Sequence, residues 1–345
     1  MCAFLIVNPR ATSTTAPRRD VIVRALASVV KLEVVQTRYR GHAAELAREA
    51  AADGHEMLFT LGGDGTINEA VNGLCLPCGA WRARDGSGGS DGWGGLASAT
   101  AQHDPGARTS RGARPDAAGL PALVPIPGGS ANVFVRTLGI PTDPIDATAA
   151  ILDAIRAGRQ RRIGLGLAGD RYFTFSAGMG LDAEVIRAVE GHRADGRPAS
   201  PALYFWTAMQ HFYGVTDRRT PALALERDGQ PPIGPLFIAV VSNTSPWTYL
   251  GNRPVNPNPR AGYDTGLDVF ALRRLRTVGT LRVLRQMTSN RGRPPSGRHV
   301  VSLHDQEEIT LRAKRPIACQ VDGEYVGESE CMAFRSVPDA LRVVA

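Results

Sequence analysis

With 345 residues, a net charge of +7 and 43% hydrophobic residues, the chain has the composition of a globular protein long enough for two domains with cores of their own. No apolar run approaches the ~18 residues of a membrane-spanning helix, and the scattered, odd-numbered cysteines (Cys2, Cys75, Cys78, Cys319, Cys331) fit reduced thiols better than a disulfide framework. Nearly all of the positive charge is arginine; the only lysines, Lys31 and Lys314, close no G-x-x-x-x-G-K-[ST] loop, which excludes a P-loop enzyme.

The apolar run 4–7 is too short for a signal-peptide core and has no basic lead, so it reads as a first strand and the cytoplasm as the expected compartment. It meets the polar turn Asn8-Pro9, then a helix over 17–30. Residues 31–37 alternate as a second strand that ends at Thr37, and an alanine-rich helix covers 42–52.

The next stretch organises the chain. Leu58-Phe59-Thr60-Leu61 reads as a strand, Gly62-Gly63-Asp64-Gly65-Thr66 as a glycine turn, and Ile67 onward as a helix. Glycines let a ligand approach the backbone, and the free N–H groups of a helix N-terminus favour an anion, usually phosphate. Thr66 either caps the helix or bonds a phosphate oxygen. Asp64 needs a cation or a donor between itself and a phosphate, which suggests Mg²⁺ or a ribose hydroxyl. A plain turn with a capped helix is the bland account, and the Asp, Thr, Asn68 and Glu69 at fixed offsets weigh against it.

Residues 79–120 carry ten glycines and no periodicity, and read as a disordered surface insertion. A strand follows at 122–126, then Pro127-Gly128-Gly129-Ser130-Ala131-Asn132 and a further helix start: a second strand, glycine turn and helix. Two such loops could converge on one triphosphate at the C-terminal edge of a parallel sheet. A helix over 145–157 ends at Gly158. Beyond it the texture is β-rich, with strands expected at 162–167, 171–177, 222–226, 236–242, 267–272, 300–303, 308–313, 318–321 and 325–326, as in an antiparallel sandwich or open barrel. Aromatic residues recur at helical intervals over 201–214, either packing on the sheet, lining an acyl-chain cleft or touching a bilayer surface. Arg273 to Arg298 form the most basic region, mostly a solvated face, part of which could attract an anionic membrane. No nucleic-acid-binding signature accompanies the charge, so nucleic acid is not an expected partner. Gln320-Val321-Asp322-Gly323-Glu324 reads alone as a hairpin turn.

The run from Gly62 through Asn68-Glu69 to Asn72-Gly73-Leu74 resembles the nucleotide-binding motif of the diacylglycerol kinase catalytic family, which includes bacterial lipid kinases and sphingosine kinases. The loop 127–136 is similar to that family's P-x-G-[ST]-x-N-D-x-A-R, with Val133 in place of the Asp. Gly178 to Glu184 resembles its G-x-G-x-D-A. Asp264-Thr265-Gly266-Leu267-Asp268 resembles its metal-linked D-D-G-x-L-D, one residue shorter, and Gln320–Glu324 its Q-x-D-G-E.

The resemblance implies an ATP- and Mg²⁺-dependent lipid kinase, most simply one that converts diacylglycerol to phosphatidic acid. It implies ATP contacts from Asn8, Thr37, Gly62, Gly63, Asp64, Gly65, Thr66, Asn68, Glu69, Ser130 and Asn132. Catalysis would fall to Asp64 and to Glu324 as base, with Asp264 and Asp268 as candidate metal ligands. Turn capping explains those last two equally well.

The expected fold is α/β plus all-β. A Rossmann-like three-layer nucleotide-binding domain (1–158) would precede a β-sandwich-like lipid-substrate domain (159–330), and a segment 331–345 would return to the first. Peripheral contact with the inner face of the cell membrane is expected, and a homodimer is open. The rival readings are a sphingosine- or ceramide-type kinase, an NAD kinase sharing the glycine turn, and a catalytically weak nucleotide-binding regulator.

Overall fold

The computed structural model describes residues 1–76, 119–180, 221–289 and 292–345. Its first half alternates strand and helix: β1 (Cys2–Val7), α1 (Ala16–Ala27), β2 (Lys31–Gln36), α2 (His42–Ala52), β3 (Met57–Gly62), α3 (Asp64–Cys75), β4 (Ala122–Pro127), α4 (Val133–Thr137) and α5 (Pro144–Arg156). The four strands run parallel in the order β2-β1-β3-β4.

Side-chain alternation decides which helices cover which face. Phe4, Ile6 and Leu58 pack against α2 and α3. Ala3, Leu5, Met57, Phe59 and Leu61 point the other way, against α1 and α5. Covered on both sides, β1, β3 and β4 become near-continuous apolar runs, as a buried parallel sheet requires. The edge strand β2 is mostly exposed.

The second half is antiparallel: β5 (Arg161–Ala168), β6 (Arg171–Phe173), β7 (Ser176–Gly180), β8 (Leu223–Arg227), β9 (Gln230–Leu236), β10 (Ile238–Ser242), β11 (Thr248–Leu250), β12 (Arg253–Val255), β13 (Leu267–Leu272), α6 (Thr277–Met287), β14 (Val300–Gln306), β15 (Glu308–Val321) and β16 (Glu324–Val343). Two long strands organise it. β15 pairs with β8 through Thr310–Ala313 and with β7 through Cys319–Val321. β16 pairs with β15, then with β5, and at Val343 lies parallel to Leu123 of β4. One continuous 14-stranded sheet results, whose antiparallel part curls around a core that includes Met179, Leu225, Val241, Val269, Leu311 and Phe334.

The mixed architecture is the expected one, with differences of detail. The strand expected at 171–177 is two, β6 and β7, parted at Thr174-Phe175; β9, β11 and β12 are additional; and the strand expected at 325–326 runs on to Val343 as β16. Helix α1 ends three residues early, because Ser28 closes it by donating to the Ala25 carbonyl. The short strands expected at 308–313 and 318–321 are one strand with a register shift between Arg312 and Ile317. The basic region contains a helix, α6, that apolar periodicity did not mark, since only Val283 and Met287 of it are buried. The insertion (bar its last two residues), the end of the Gly178–Glu184 motif and the aromatic stretch 201–214 lie outside the described residues.

Candidate active site

The two glycine turns meet backbone to backbone. The Gly128 N–H donates to the Gly62 carbonyl at 2.7 Å. A Cβ on Gly129 would lie 2.7 Å from the Gly63 Cα, and one on Gly128 2.9 Å from the Gly62 Cα. No side chain fits there, so glycine at these positions is a packing requirement. The turn after β1 joins them. The Asn8 N–H donates to the Leu61 carbonyl at 2.9 Å, and the Ser13 N–H to that of Gly128 at 3.1 Å. The Asn8 side-chain amide donates to Thr66 Oγ1 at 3.0 Å. Thr37 closes β2 beside them, its N–H on the Val7 carbonyl at 2.8 Å, and Ser130 stands exposed at the tip of the second turn. Asn8, Thr37, Gly62, Gly63, Thr66 and Ser130 therefore gather at the C-terminal edge of the parallel strands, the usual ligand crevice of such sheets.

Asp64, the first residue of α3, is directed at the second turn. Its carboxylate accepts the N–H groups of Val133 and Phe134, each at 3.0 Å, and so caps α4 from outside. Burial pushes the Asp64 carboxyl up to about 6 against the pull of those two N–H groups and of Arg136. Asn132, with a left-handed φ of 48°, staples its own turn: Oδ1 accepts from the Gly129 N–H at 2.9 Å, and its amide donates to the Gly129 carbonyl at 2.8 Å. Glu69 is likewise turned inward, accepting the N–H groups of Gly41 (2.8 Å) and Ala43 (3.3 Å) at the start of α2.

Glu324 reaches the same place from the other end of the sequence. It follows the tight turn Asp322-Gly323, whose φ values of 47° and 75° explain the Asp-Gly pair. A Cβ on Gly65 would collide with Glu324 Oε1, which puts this carboxylate against the first turn of α3. Arg171 and Arg40 grip it from either side, at 2.8 Å and 3.3 Å. Burial alone would raise the Glu324 carboxyl, but the two guanidinium charges outweigh burial and hold it below its ordinary value. It is an ionised acceptor at neutral pH.

Beneath it lies a buried polar network. Asn68 Oδ1 accepts from Arg171 Nε (2.9 Å) and Nη2 (2.6 Å), while its amide donates to the Tyr172 carbonyl (2.9 Å) and to Asp322 Oδ2 (2.8 Å). Asp322 also accepts from the Thr174 N–H and hydroxyl and from the N–H groups of Phe175 and Ser176. The turn that carries Glu324 is thus locked to α3 and to the β6–β7 connection. By sequence Asp322 is a turn residue, and no local pattern marks Arg40 or Arg171, because Glu324 lies 284 and 153 residues from them, respectively.

The Asp264–Asp268 segment follows Tyr263, whose hydroxyl meets Thr137 Oγ1 at the end of α4 at 2.6 Å. Asp264 is exposed. Asp268 is buried, and its Oδ1 meets His304 Nδ1 at 2.6 Å and accepts the Asp305 N–H at 3.0 Å. Among the described residues no hydrogen bond joins either aspartate to the glycine turns, and no group of three or more His, Cys, Asp and Glu gathers as a metal site would need.

Residues 2–168 match the model of the diacylglycerol kinase catalytic domain. The first half of the chain is similar to that family's catalytic domain. Together with the relatives it matches, that domain indicates an ATP-dependent kinase of the lipid-kinase group. A diacylglycerol kinase of Staphylococcus carnosus (strain TM300) is 24% identical over 330 residues, covering 94% of this chain and 89% of its own. One of Bacillus subtilis (strain 168) is 24% identical over 287 residues, 83% of this chain and 77% of its own. For the fold, the crystal structure of a diacylglycerol kinase from Bacillus anthracis str. Sterne superposes with a TM-score of 0.62 at 18% identity, over 99% of this chain and 96% of that one.

Proposed function

We propose that the protein transfers the γ-phosphate of ATP to the primary hydroxyl of diacylglycerol, giving phosphatidic acid and ADP. The observation that carries this reading is the Glu324 carboxylate set against the first turn of α3, beside the stacked glycine turns. Phosphoryl transfer asks mainly for positioning and charge neutralisation, through a loose transition state. The backbone of Gly62, Gly63 and Gly65, with the hydroxyls of Thr66 and Ser130, cradles the phosphates. Asn8 and Thr37 border the nucleotide, while Asn68, Glu69 and Asn132 hold the loops in shape. As the hydroxyl oxygen bonds to the γ-phosphorus and the bond to ADP breaks, Glu324 accepts the hydroxyl proton. Its low basicity is tolerable, because a loose transition state needs a proton acceptor in place more than a strong base.

The donor set fits Mg²⁺ carried on the nucleotide, since such ions take one or two carboxylates plus phosphates. Asp64 is part-exposed and accepts a single N–H on each oxygen, which leaves lone pairs free. When bound, the ion neutralises phosphate charge. Asp264 and Asp268 do not make a comparable set, and no step is assigned to a metal there.

Residues 1–158 form the nucleotide half and 159–330 the lipid half, with 331–345 tying them together. The protein works as a peripheral protein on the inner face of the cell membrane, where its substrate resides. The decisive assay is transfer of labelled γ-phosphate from Mg·ATP to micelles of diacylglycerol, with sphingosine, ceramide and NAD in parallel. Labelled phosphatidic acid is expected, with turnover lowered about 10²–10⁴-fold in Glu324→Gln and the fold intact by circular dichroism. A variant that turns over at the parent rate removes Glu324 as the base. Label on another acceptor alone replaces diacylglycerol.

A further inference from the structure

Helix α6 is fastened to the fold by one stripe. Val283 and Met287 are buried with Phe270, Leu272 and Leu275. At about 100° per residue, Leu281, Arg285 and Val278 lie roughly 140–160° around the helix from Val283, facing outward. Val278 is 82% exposed, Leu281 53% and Leu284 38%, and Arg282 and Arg285 are exposed beside them. Between Val269 and Leu303 the sequence holds eight arginines and no Asp or Glu. Four of them, Arg273, Arg274, Arg276 and Arg298, lie close enough to His299 to act on its charge. The His299 imidazole is held below its ordinary value by loss of hydration and by Arg274, Arg298, Arg276 and Arg273.

A merely solvated helix has no use for outward valine and leucine. A nucleic-acid surface would pair arginine with stacking aromatics, and this face has none. Aliphatic tips with Arg282 and Arg285 beside them on the same helix match the boundary of an anionic bilayer, where the tips enter the acyl region and the charges stay at the phosphates. We propose that the outward face of α6, made of Val278, Leu281 and Leu284 with Arg282 and Arg285, is the surface by which the protein docks on an anionic lipid bilayer. The proposal deepens the lipid-kinase reading and rests on it, because the acceptor hydroxyl lies in such a surface.

The test is co-sedimentation of the full chain with phosphatidylglycerol-containing and pure phosphatidylcholine vesicles, at low and high salt. The parent is expected to bind the anionic vesicles and not the neutral ones. The double variant Val278→Asp/Leu281→Asp is expected to lose binding about 10- to 100-fold, and Arg282→Gln/Arg285→Gln about tenfold at low salt. All are expected to keep the parent's circular dichroism and its turnover of a short-chain diacylglycerol dissolved as monomer. Unchanged binding by Val278→Asp/Leu281→Asp overturns the proposal, as does equal binding of the parent to neutral vesicles. Attachment that depends on the arginines alone, with equal retention of parent and aspartate variant on soluble heparin, overturns it in favour of a polyanion site. The monomeric-substrate assay separates the two readings. If the parent fails there, the kinase reading falls, while the vesicle result still decides the docking face.

Discussion

Helices α3 and α6 are nearly equal in length and opposite in how they are held. Every residue of α3 from Thr66 to Cys75 is buried; of α6, only Val283 and Met287 are. Each carries a glycine in its interior, and the two glycines show the difference best. A Cβ on Gly73 would run into the Ala44 carbonyl oxygen and lie 2.8 Å from the Ala44 Cα, whereas one on Gly279 would meet nothing within 4 Å. In α3 glycine lets two backbones touch; in α6 it fills no such role. The helix that aims its N-terminus at the glycine turns is fixed from all sides, and the helix on the basic edge is left free to present a face.

Substitutions at matched positions sharpen this contrast, and the largest effect belongs to Gly73. Gly73→Ala gains about 1 kcal/mol of helix propensity but must push α2 and α3 apart, and such overpacking costs about 3 kcal/mol. A net loss of about 2 kcal/mol is expected, seen as a Tm lower by about 3 °C. A Tm equal to the parent's would mean that the helices separate freely and that α3 is not the rigid partner.

Asp64 tests the same helix at its start and through pH. Its folded-state value, about 6, lies above the ~4 of an unfolded chain, so the folded protein binds this proton more tightly. The group's contribution to stability is therefore fully present below about pH 4 and is lost as pH rises through about 6. Relative to Asp64→Asn, the parent's Tm should climb as pH falls from 7 to 4. The opposite slope would show a carboxylate held low by a cation instead of one raised by burial.

The smallest effect is expected at Gly279. Gly279→Ala should raise stability by about 0.5–1 kcal/mol, visible as a Tm higher by about 2 °C and no change in turnover. A loss of stability there would break the comparison, since it would reveal a neighbour against which α6 is packed.

These two helices also mark what the sequence could and could not disclose. Helix α3 was legible because strand, glycine turn and helix follow one another within some seventeen residues, and the chemistry of that turn is local. The three-layer, parallel arrangement of the first half was legible for the same reason. Helix α6 was not, since two buried residues and a glycine in the first turn leave almost no apolar period. The partners of Glu324 were hidden for a different reason. Arg171 and Arg40 reach it across the chain, and Asn68 meets Asp322 over 254 residues. Such pairs are products of topology, and no window along the chain contains both members. The same holds for Asp64, whose chemistry suggested a cation, while its nearest partners are backbone N–H groups of α4.

The place of β16 has a consequence for synthesis. Among the described residues, the outer edge of β4 is covered near Val343, where the Val344 N–H donates to the Leu123 carbonyl at 3.1 Å. On a ribosome adding about 5–20 residues per second, that edge emerges roughly 10–40 s before the strand that covers it. An open edge of apolar strand is a template for pairing with another chain, and Glu324 cannot meet Gly65 until β15 has been made as well. The nascent protein therefore passes through a stage with its parallel sheet assembled, its flank bare and its phosphate loops still lacking their carboxylate. This interval is when a chaperone has most to protect, and when no premature turnover can occur.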